Sequence, residues 1–303
     1  MTNQNESDGG LIPATPESVG VPAHDPPDEA QVWERAKREW QQVSRLVDRR
    51  AKQRIKFEYG PVGFALLADQ HFGDGGVDYP RAEKEAQIVA DTPGLYAILA
   101  GDVVNNFIIT KLAQARYDTR LSIPDEWALL RGYLRILSPK LQVVVGGNHD
   151  QWVTMLTGID YFRDVVGEFS PTVIYDSDDC LVDAEVAEWS VSMRIRHKWK
   201  GSSIYNPTHG IERAAKWDQD FIIGMGAHTH VSGVARSFNI GGVNGMALLA
   251  GSYKRVDSYA RRQGFAKPNT STAVAVIIDA EEHALVGFDC LEMAAKYLRA
   301  VYR

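Results

Sequence analysis

Acidic, amide and imidazole side chains stand just beyond the apolar runs of this chain. Carboxylate, amide and imidazole groups together suit divalent transition metals, so the pattern indicates a metal-dependent site. The runs and the residues that follow them are "FALLA" with Asp69 and His71, "LYAILAG" with Asp102, "LQVVVGG" with Asn148, His149 and Asp150, "VSMRIR" with His197, and "FIIGMGA" with His228 and His230.

Spacing explains how two residues of one segment can serve one site. In extended chain, residues i and i+2 face the same way. Asp69 and His71 therefore converge, and so do His228 and His230. We expect each pair to contribute both of its side chains to a common centre.

The stretch "VVVGGNHDQW" follows a different rule. Asn148 and His149 are adjacent, so they point in different directions, and one can bind a metal while the other faces a substrate. Gly101, Gly146 and Gly147 remove side chains where backbone must come close to the site.

The elements that position these residues alternate in type. Short apolar runs alternate with helix-like stretches from residue 62 to about 150, which is typical of a layered α/β fold. The second half is richer in strands, with one helix-like piece near 206–218. In such folds functional groups gather at the carboxyl ends of the strands, where all the residues above are expected.

In order along the chain, "DQH" (69–71), "GD" (101–102), "GNHD" (147–150), His197 and "AHTH" (227–230) resemble the signature of the calcineurin-like metallophosphoesterases, in particular those of phages and bacteria. The resemblance covers residues 62 to 290. It implies a four-layer α/β/β/α sandwich of two mixed sheets, with a dinuclear metal site at the carboxyl ends of the strands.

The resemblance also implies a role for each residue. One metal would be held by Asp69, His71 and His230, the other by Asn148, His197 and His228, with Asp102 shared between them. His149 would lie beside the leaving group with Asp150 fixing its orientation, so these two are the predicted catalytic residues. The ions would be two divalent transition metals, with Mn²⁺ first and Fe, Zn²⁺ or Ni²⁺ as alternatives.

The function that follows is hydrolysis of a phosphate ester by metal-activated hydroxide. The chain has "GDVVNNF", with Asn105 and Asn106 where protein phosphatases of this superfamily carry an aspartate and an arginine. A phosphodiesterase or a small-phosphomonoester hydrolase is therefore favoured. A nuclease acting on DNA or RNA, a phosphoprotein phosphatase and a non-catalytic metal-binding scaffold are the alternatives.

Several of the candidate residues also have ordinary structural explanations. His197 is preferred over His209 because it ends a strand-like run, whereas His209 sits in a turn-and-helix stretch. Lys198, Lys200 and Ser202 are equally well explained as phosphate contacts and as a surface loop. Asp74 and Asp78 could touch substrate, and Arg255, Arg261 and Arg262 could contact an anion, but turns and surface charge are the expected assignments.

The ends and the composition complete the prediction. Residues 1–28 are read as a disordered tail, 29–56 as a basic helix and 57–303 as the metallophosphoesterase domain.

The net charge of −6 argues against a protein built mainly to bind polyanions, although the basic helix keeps nucleic acid open as a partner. Two cysteines, the absence of an apolar leader and the absence of a membrane-length apolar run favour a cytoplasmic location. The sequence leaves the oligomeric state and the substrate open.

Overall fold

The structure is a computed structural model of the 303-residue chain. It describes residues 28–48, 52–108, 119–201, 203, 205–255 and 271–303. The predicted disordered tail, apart from Asp28, lies outside the described residues. So do Ser202, Arg261 and Arg262.

The chain divides into two compact units, residues 1–51 and 52–303. The described part of the first unit is helix α1, Glu29–Asp48. It is amphipathic in sequence, and its described side chains, at positions 29–42, are exposed.

The second unit contains two mixed six-stranded sheets, with strand orders β1-β6-β7-β8-β10-β9 and β12-β11-β2-β3-β4-β5. The predicted two-sheet α/β architecture is confirmed. The strands are β1 Gln53–Phe57, β2 Val62–Leu67, β3 Leu95–Leu99, β4 Leu141–Val145, β5 Ile174–Asp176, β6 Asp179–Val186, β7 Trp189–Arg196, β8 Ile223–Gly226, β9 Val234–Ile240, β10 Val243–Leu249, β11 Val274–Asp279 and β12 Ala284–Phe288.

Helices cover the outer faces of both sheets. One apolar core lies between the second sheet and helices α2, α3, α5 and α7, and a smaller one packs α6 against the first sheet. A third core lies between the sheets, which gives the α/β/β/α order. The helices of this unit are α2 Tyr79–Asp91, α3 Ile123–Leu137, α4 Trp152–Thr157, α5 Tyr161–Phe169, α6 His209–Asp218 and α7 Leu291–Val301.

The central strands are apolar on both faces because both faces are covered. Every residue of β2 is buried, and β2, β3 and β4 run parallel to one another. Between the sheets, Phe64 and Ile98 belong to the same core as Met193 and Ile195 of the other sheet. Parallel strands end at one edge, so the loops after β2, β3 and β4 emerge together.

Local signals fix where the helices begin. Asp78 caps α2 by accepting a hydrogen bond from the Arg81 amide at 3.2 Å. At the start of α3, Ser122 and Asp125 form a reciprocal capping box. Asp78, which the sequence places in a turn, is therefore a helix cap.

The predicted basic helix is shorter than its expected bounds of 29–56. Helix α1 ends at Asp48, and residues 53–57 form strand β1, which pairs in parallel with β6. Lys52 lies 3.5 Å from Asp183, and Arg54 lies 2.8 Å from Glu185. The basic charges that suggested a helical arm are thus partly neutralised by acidic residues of a strand about 130 positions away in the sequence, a relationship with no local signal.

Among the described residues, no helix combines the length and the apolar character needed to cross a bilayer.

Candidate metal centre

Six of the seven predicted metal ligands meet at one edge of the sandwich. Asp69, His71 and His230 form one group whose candidate ligand atoms all lie within 4.8 Å of one another, and Asp102, His197 and His228 form a second. Asp102 also groups with His71 and His149 in the same way, so its carboxylate stands between the two sets.

The first group centres on a carboxylate oxygen that lacks a hydrogen-bond donor. Asp69 is fully buried, and its Oδ2 accepts the His228 amide at 2.8 Å. Its Oδ1 has no hydrogen-bond partner among the described residues, and it lies 3.8 Å from His71 Nε2 and 3.6 Å from His230 Nε2. A buried ionised oxygen without a donor is costly, and a cation shared with the two imidazoles would compensate it.

The second group presents its imidazole nitrogens in the orientation that metal binding requires. His197 Nδ1 donates to the carbonyl oxygen of Ala100 at 2.7 Å. Its Nε2 therefore faces Asp102 Oδ2 at 3.2 Å and His228 Nδ1 at 3.0 Å. A backbone acceptor on the outer nitrogen is the usual way in which a ligating histidine is fixed in one tautomer.

Left-handed backbone recurs at this centre. Asp69, His71, Asp102, His228 and His230 have φ between 50° and 74°. Non-glycine residues rarely adopt this conformation, and such strain concentrates at functional sites. The pairs Asp69–His71 and His228–His230 are therefore not in the extended conformation from which their spacing predicted convergence, although all four residues lie in the centre.

Two glycines let the loops after β3 and β4 touch. A Cβ on Gly101 would lie 2.3 Å from the amide nitrogen of Gly147, and a Cβ on Gly147 would lie 2.2 Å from the Asp102 amide nitrogen. The predicted role of these glycines in close backbone approach therefore matches the contacts.

Asp150 differs from its predicted role of orienting His149. Its carboxylate accepts four backbone amides, from Asp102 and Gly147 on Oδ2 and from Val103 and Val104 on Oδ1. The group that contacts His149 is instead the carbonyl oxygen of Asn105, which accepts from Nδ1 at 2.6 Å. Asp150 does not contact the His149 ring because the side chains of adjacent residues point in different directions. The sequence analysis applied the same rule to Asn148 and His149.

Hydrogen bonds and aromatic contacts that the sequence did not reveal fix the position of His149. Asn106 Nδ2 donates to the carbonyl oxygen of His149 at 2.8 Å, and the His149 amide donates to Asp102 Oδ1, also at 2.8 Å. The Trp152 ring lies over the imidazole, with centroids 4.1 Å apart and planes tilted by 30°, and the Phe107 ring meets it edge-on. These contacts leave Nε2 facing the centre, 3.9 Å from Asp102 Oδ2.

Charge is unevenly distributed among the imidazoles of the metal-free centre. Burial opposes protonation of His197, but Asp102 raises its pKa to about 10. Burial and the charge of His197 lower the pKa of His228 to about 4. Burial alone would raise the pKa of Asp102, yet His197 and His149 hold it well below its usual range. The metal-free centre therefore keeps the Asp102 carboxylate ionised and His228 neutral, which are the forms that bind metals, whereas His197 must lose a proton to do so.

Four other residues considered in the sequence analysis are exposed. Asn148 is in the turn after β4 and is exposed. His209, the rival of His197, begins α6 and is also exposed. Lys198 and Lys200 are exposed, and the charge of Lys198 contributes to the lowered pKa of His228.

No family model matches the chain, and no curated protein matches it. Among solved structures, a candidate 5′-nucleotidase from Staphylococcus aureus has 11% identity and a TM-score of 0.43, over 80% of this chain. This chain spans 58% of the length of that protein. Chaetomium thermophilum Vps29 has 12% identity and a TM-score of 0.37, over 74% of this chain and 96% of Vps29. The nuclease MPE from Pseudomonas putida has 13% identity and a TM-score of 0.33, over 74% of this chain and 87% of that one.

Proposed function

We propose that the chain is a dinuclear-metal-dependent phosphoesterase that hydrolyses a phosphodiester or a small phosphomonoester. The observation that carries the proposal is the position of Asp102, whose carboxylate groups with His197 and His228 on one side and with His71, a member of the Asp69–His71–His230 group, on the other. The order of the motifs, which resembles that of the calcineurin-like metallophosphoesterases, supports the same conclusion.

The residues present fit two cations. One would be held by Asp69, His71 and His230, and the other by His197, His228 and the exposed Asn148, with Asp102 serving both. The donorless Oδ1 of Asp69 and the inward Nε2 of His197 are the features that fit. Mixed nitrogen and oxygen donors suit Mn²⁺, our first choice, and also Fe, Zn²⁺ and Ni²⁺.

When bound, two such ions neutralise phosphate charge and make hydroxide available near neutral pH. The chain itself supplies positioning. Asp150 holds the Asp102 loop against the Gly147 turn through four amides. The carbonyl oxygen of Ala100 holds His197 in the tautomer whose Nε2 faces the centre.

His149 is the candidate proton donor. Its Nδ1 proton is committed to the carbonyl oxygen of Asn105, so Nε2 is the nitrogen that exchanges protons. Burial lowers the pKa of His149, so Nε2 must first take a proton from solvent and then give it to the departing oxygen, which returns His149 to its neutral form. Nε2 faces the centre beside Asp102, which is where a departing ester oxygen would be protonated. Asn105 is therefore the residue proposed to fix the tautomer, in place of Asp150.

The test is hydrolysis of bis-p-nitrophenyl phosphate and p-nitrophenyl phosphate by metal-stripped protein, before and after addition of Mn²⁺. We expect activity with Mn²⁺ that is lost in Asp102→Asn and reduced at least about 100-fold in His149→Ala. His283→Ala, which removes an exposed imidazole in the β11–β12 turn, is the matched control and should behave as wild type. Inactivity of the wild type with Mn²⁺, Fe²⁺, Zn²⁺ and Ni²⁺ would overturn the proposal.

The same protein separates the alternative substrates. Single- and double-stranded DNA and RNA test the nuclease, and phosphopeptides test the protein phosphatase. Binding of two metal ions without turnover of any ester would identify a scaffold.

A further inference from the structure

Two lysines lie near the imidazoles of the centre. Lys198 is exposed beside His197, whereas the Lys254 side chain is only 10% exposed. Lysine is seldom buried to this extent without an interaction that offsets its desolvation. Lys254 belongs to the segment 251–255 that follows β10, and no motif in the sequence singles it out.

The segment 251–255 is tied directly to a metal-binding residue. The carbonyl oxygen of Asp69 accepts from the Tyr253 amide at 3.1 Å and from Ser252 Oγ at 3.0 Å. The Lys254 amide in turn donates to Ser252 Oγ at 3.1 Å. The backbone of Lys254 is therefore held at a fixed distance from the first metal group.

Buried side-chain contacts also hold segment 251–255 in place. Tyr253 is fully buried, and its hydroxyl donates to Glu85 Oε2 at 2.5 Å. Glu85 also accepts from Thr272 Oγ1 at 2.6 Å and from Arg81 Nε at 2.8 Å. The segment is thus braced by a buried polar network on helix α2.

The loop 72–78 contacts the Lys254 side chain through Asp74. Lys254 Nζ lies 2.8 Å from Asp74 Oδ2. Asp74 is itself buried, its amide donates to the carbonyl oxygen of His71 at 3.1 Å, and its Oδ1 accepts the Gly76 amide at 2.8 Å. The ion pair therefore joins two segments that each adjoin a ligand of the first group.

Lys254 lies beside the first metal group. The segment that carries it is hydrogen-bonded to the carbonyl oxygen of Asp69, and its ion-pair partner Asp74 is hydrogen-bonded to the carbonyl oxygen of His71. The ammonium group is therefore held between the two chain segments that supply Asp69 and His71, where an anionic substrate would arrive.

We propose that Lys254 binds a non-bridging phosphate oxygen of the substrate and that Asp74, by offsetting the charge of its ammonium group, limits the strength of this contact. The inference rests on the proposed phosphoesterase function and specifies how the same site binds its anion. An ammonium group is a compact point charge with three N–H donors, so an ion pair with Asp74 is compatible with an additional phosphate contact.

Two variants that break the same ion pair separate this role from a structural one. Lys254→Met removes the cation, while Asp74→Asn keeps the cation and removes the negative charge that offsets it. A structural role predicts that both variants weaken phosphate binding, because both lose the ion pair. A phosphate-binding role predicts changes in opposite directions.

The experiment measures inorganic phosphate binding to Mn²⁺-loaded protein by calorimetry, alongside KM and kcat for bis-p-nitrophenyl phosphate. For Lys254→Met we expect Kd and KM to rise about tenfold or more, with a smaller change in kcat, since a charge-assisted contact is lost. Lys254→Arg should restore most of the affinity, and Asp74→Asn should bind phosphate as tightly as wild type or more tightly. Lys216→Met, at an exposed position of α6, is the matched control and should match wild type.

Calorimetry of Mn²⁺ binding to the stripped proteins provides a readout independent of turnover. Because Lys254 repels cations at the first group, Lys254→Met should bind Mn²⁺ as well as wild type or better. Unchanged phosphate affinity in Lys254→Met, or parallel losses of phosphate and Mn²⁺ affinity in both variants, would overturn the role of Lys254. Failure of the wild type to bind two Mn²⁺ or to hydrolyse any ester would instead overturn the proposed function.

Discussion

The backbone amide of Asp102 donates to the carboxylate of Asp150 at 2.7 Å. The same carboxylate accepts three more amides, so the loop after β3 and the turn after β4 are fastened by a single buried side chain. The position of Asp102, the residue proposed to serve both metal ions, therefore depends on a side chain that the sequence analysis expected to orient His149.

Replacing Asp150 with asparagine should loosen this arrangement. An amide group presents one acceptor oxygen, and its NH₂ would face backbone donors, leaving buried amides unpaired. We expect the free energy of unfolding of the metal-free protein to fall by about 2 kcal/mol or more, with weaker Mn²⁺ binding. Urea denaturation and calorimetry measure both quantities. Asp164→Asn, at an exposed site on α5, is the control, and equal stability of the two variants would contradict the role of Asp150.

Glu126 should make stability depend on pH. It is fully buried on α3 and accepts the Asn106 amide at 2.6 Å, yet burial raises its pKa to about 7. A carboxyl group whose pKa is higher in the folded than in the unfolded chain stabilises the fold at low pH, and that contribution is lost as pH rises through about 4.5 to 7. The expected loss is at most about 3 kcal/mol.

Glu126→Gln isolates this contribution, because glutamine keeps an acceptor for the Asn106 amide and does not ionise. As pH rises from 5 to 8, the unfolding free energy of the wild type should fall relative to that of the variant. Urea denaturation at intervals of pH gives the difference directly. A difference that stays constant over this range would show that Glu126 titrates normally.

Metal binding should release protons. Burial opposes the charge of His197, but Asp102 raises its pKa to about 10, so His197 carries a proton at neutral pH in the metal-free protein. A histidine must lose its proton to bind a metal. We expect about one proton or more to be released per chain at pH 7.5. Calorimetry in two buffers with different ionisation enthalpies measures this number, and a value near zero would exclude His197 as a ligand.

The left-handed backbone at the centre should cost stability when no metal is present. His230 has φ of 52°, and its Nε2 lies at a hydrogen-bonding distance of 2.9 Å from that of His71. His230→Gly and His230→Ala both lose this contact, but only glycine relieves the backbone strain. The metal-free His230→Gly protein should therefore be more stable than His230→Ala by about 1 kcal/mol, while Mn²⁺ binding falls in both. His283→Gly, with φ of 48° in the β11–β12 turn, should gain stability without any change in Mn²⁺ binding. A His230→Gly protein no more stable than His230→Ala would contradict the strain.

Much of the centre could be predicted because strand ends are readable in sequence. Asp69, Asp102 and His197 follow apolar runs that form β2, β3 and β7, and each lies in the cluster. The order of the motifs in the sequence was enough to identify these three residues, although the sequence gives no distances between their atoms.

What the sequence missed depends on backbone groups and on distant pairing. The carbonyl oxygen of Asn105 that contacts His149 has no residue-type signal, because every residue has a carbonyl group. The strand "QRIKF" carries two basic residues and reads as a continuation of α1, and only its pairing with β6 makes it β1. The ion pair of Lys254 with Asp74 joins residues 180 positions apart, so no local pattern predicts it.

Metal stoichiometry tests the central claim most directly. Stripped wild-type protein is loaded with Mn²⁺, dialysed against trace metal and analysed by mass spectrometry together with protein concentration, with Asp102→Asn treated in parallel. Shared coordination by Asp102 predicts two ions per chain in the wild type and one or fewer in the variant. One ion or none in the wild type, or two in both proteins, would contradict a dinuclear centre built around Asp102.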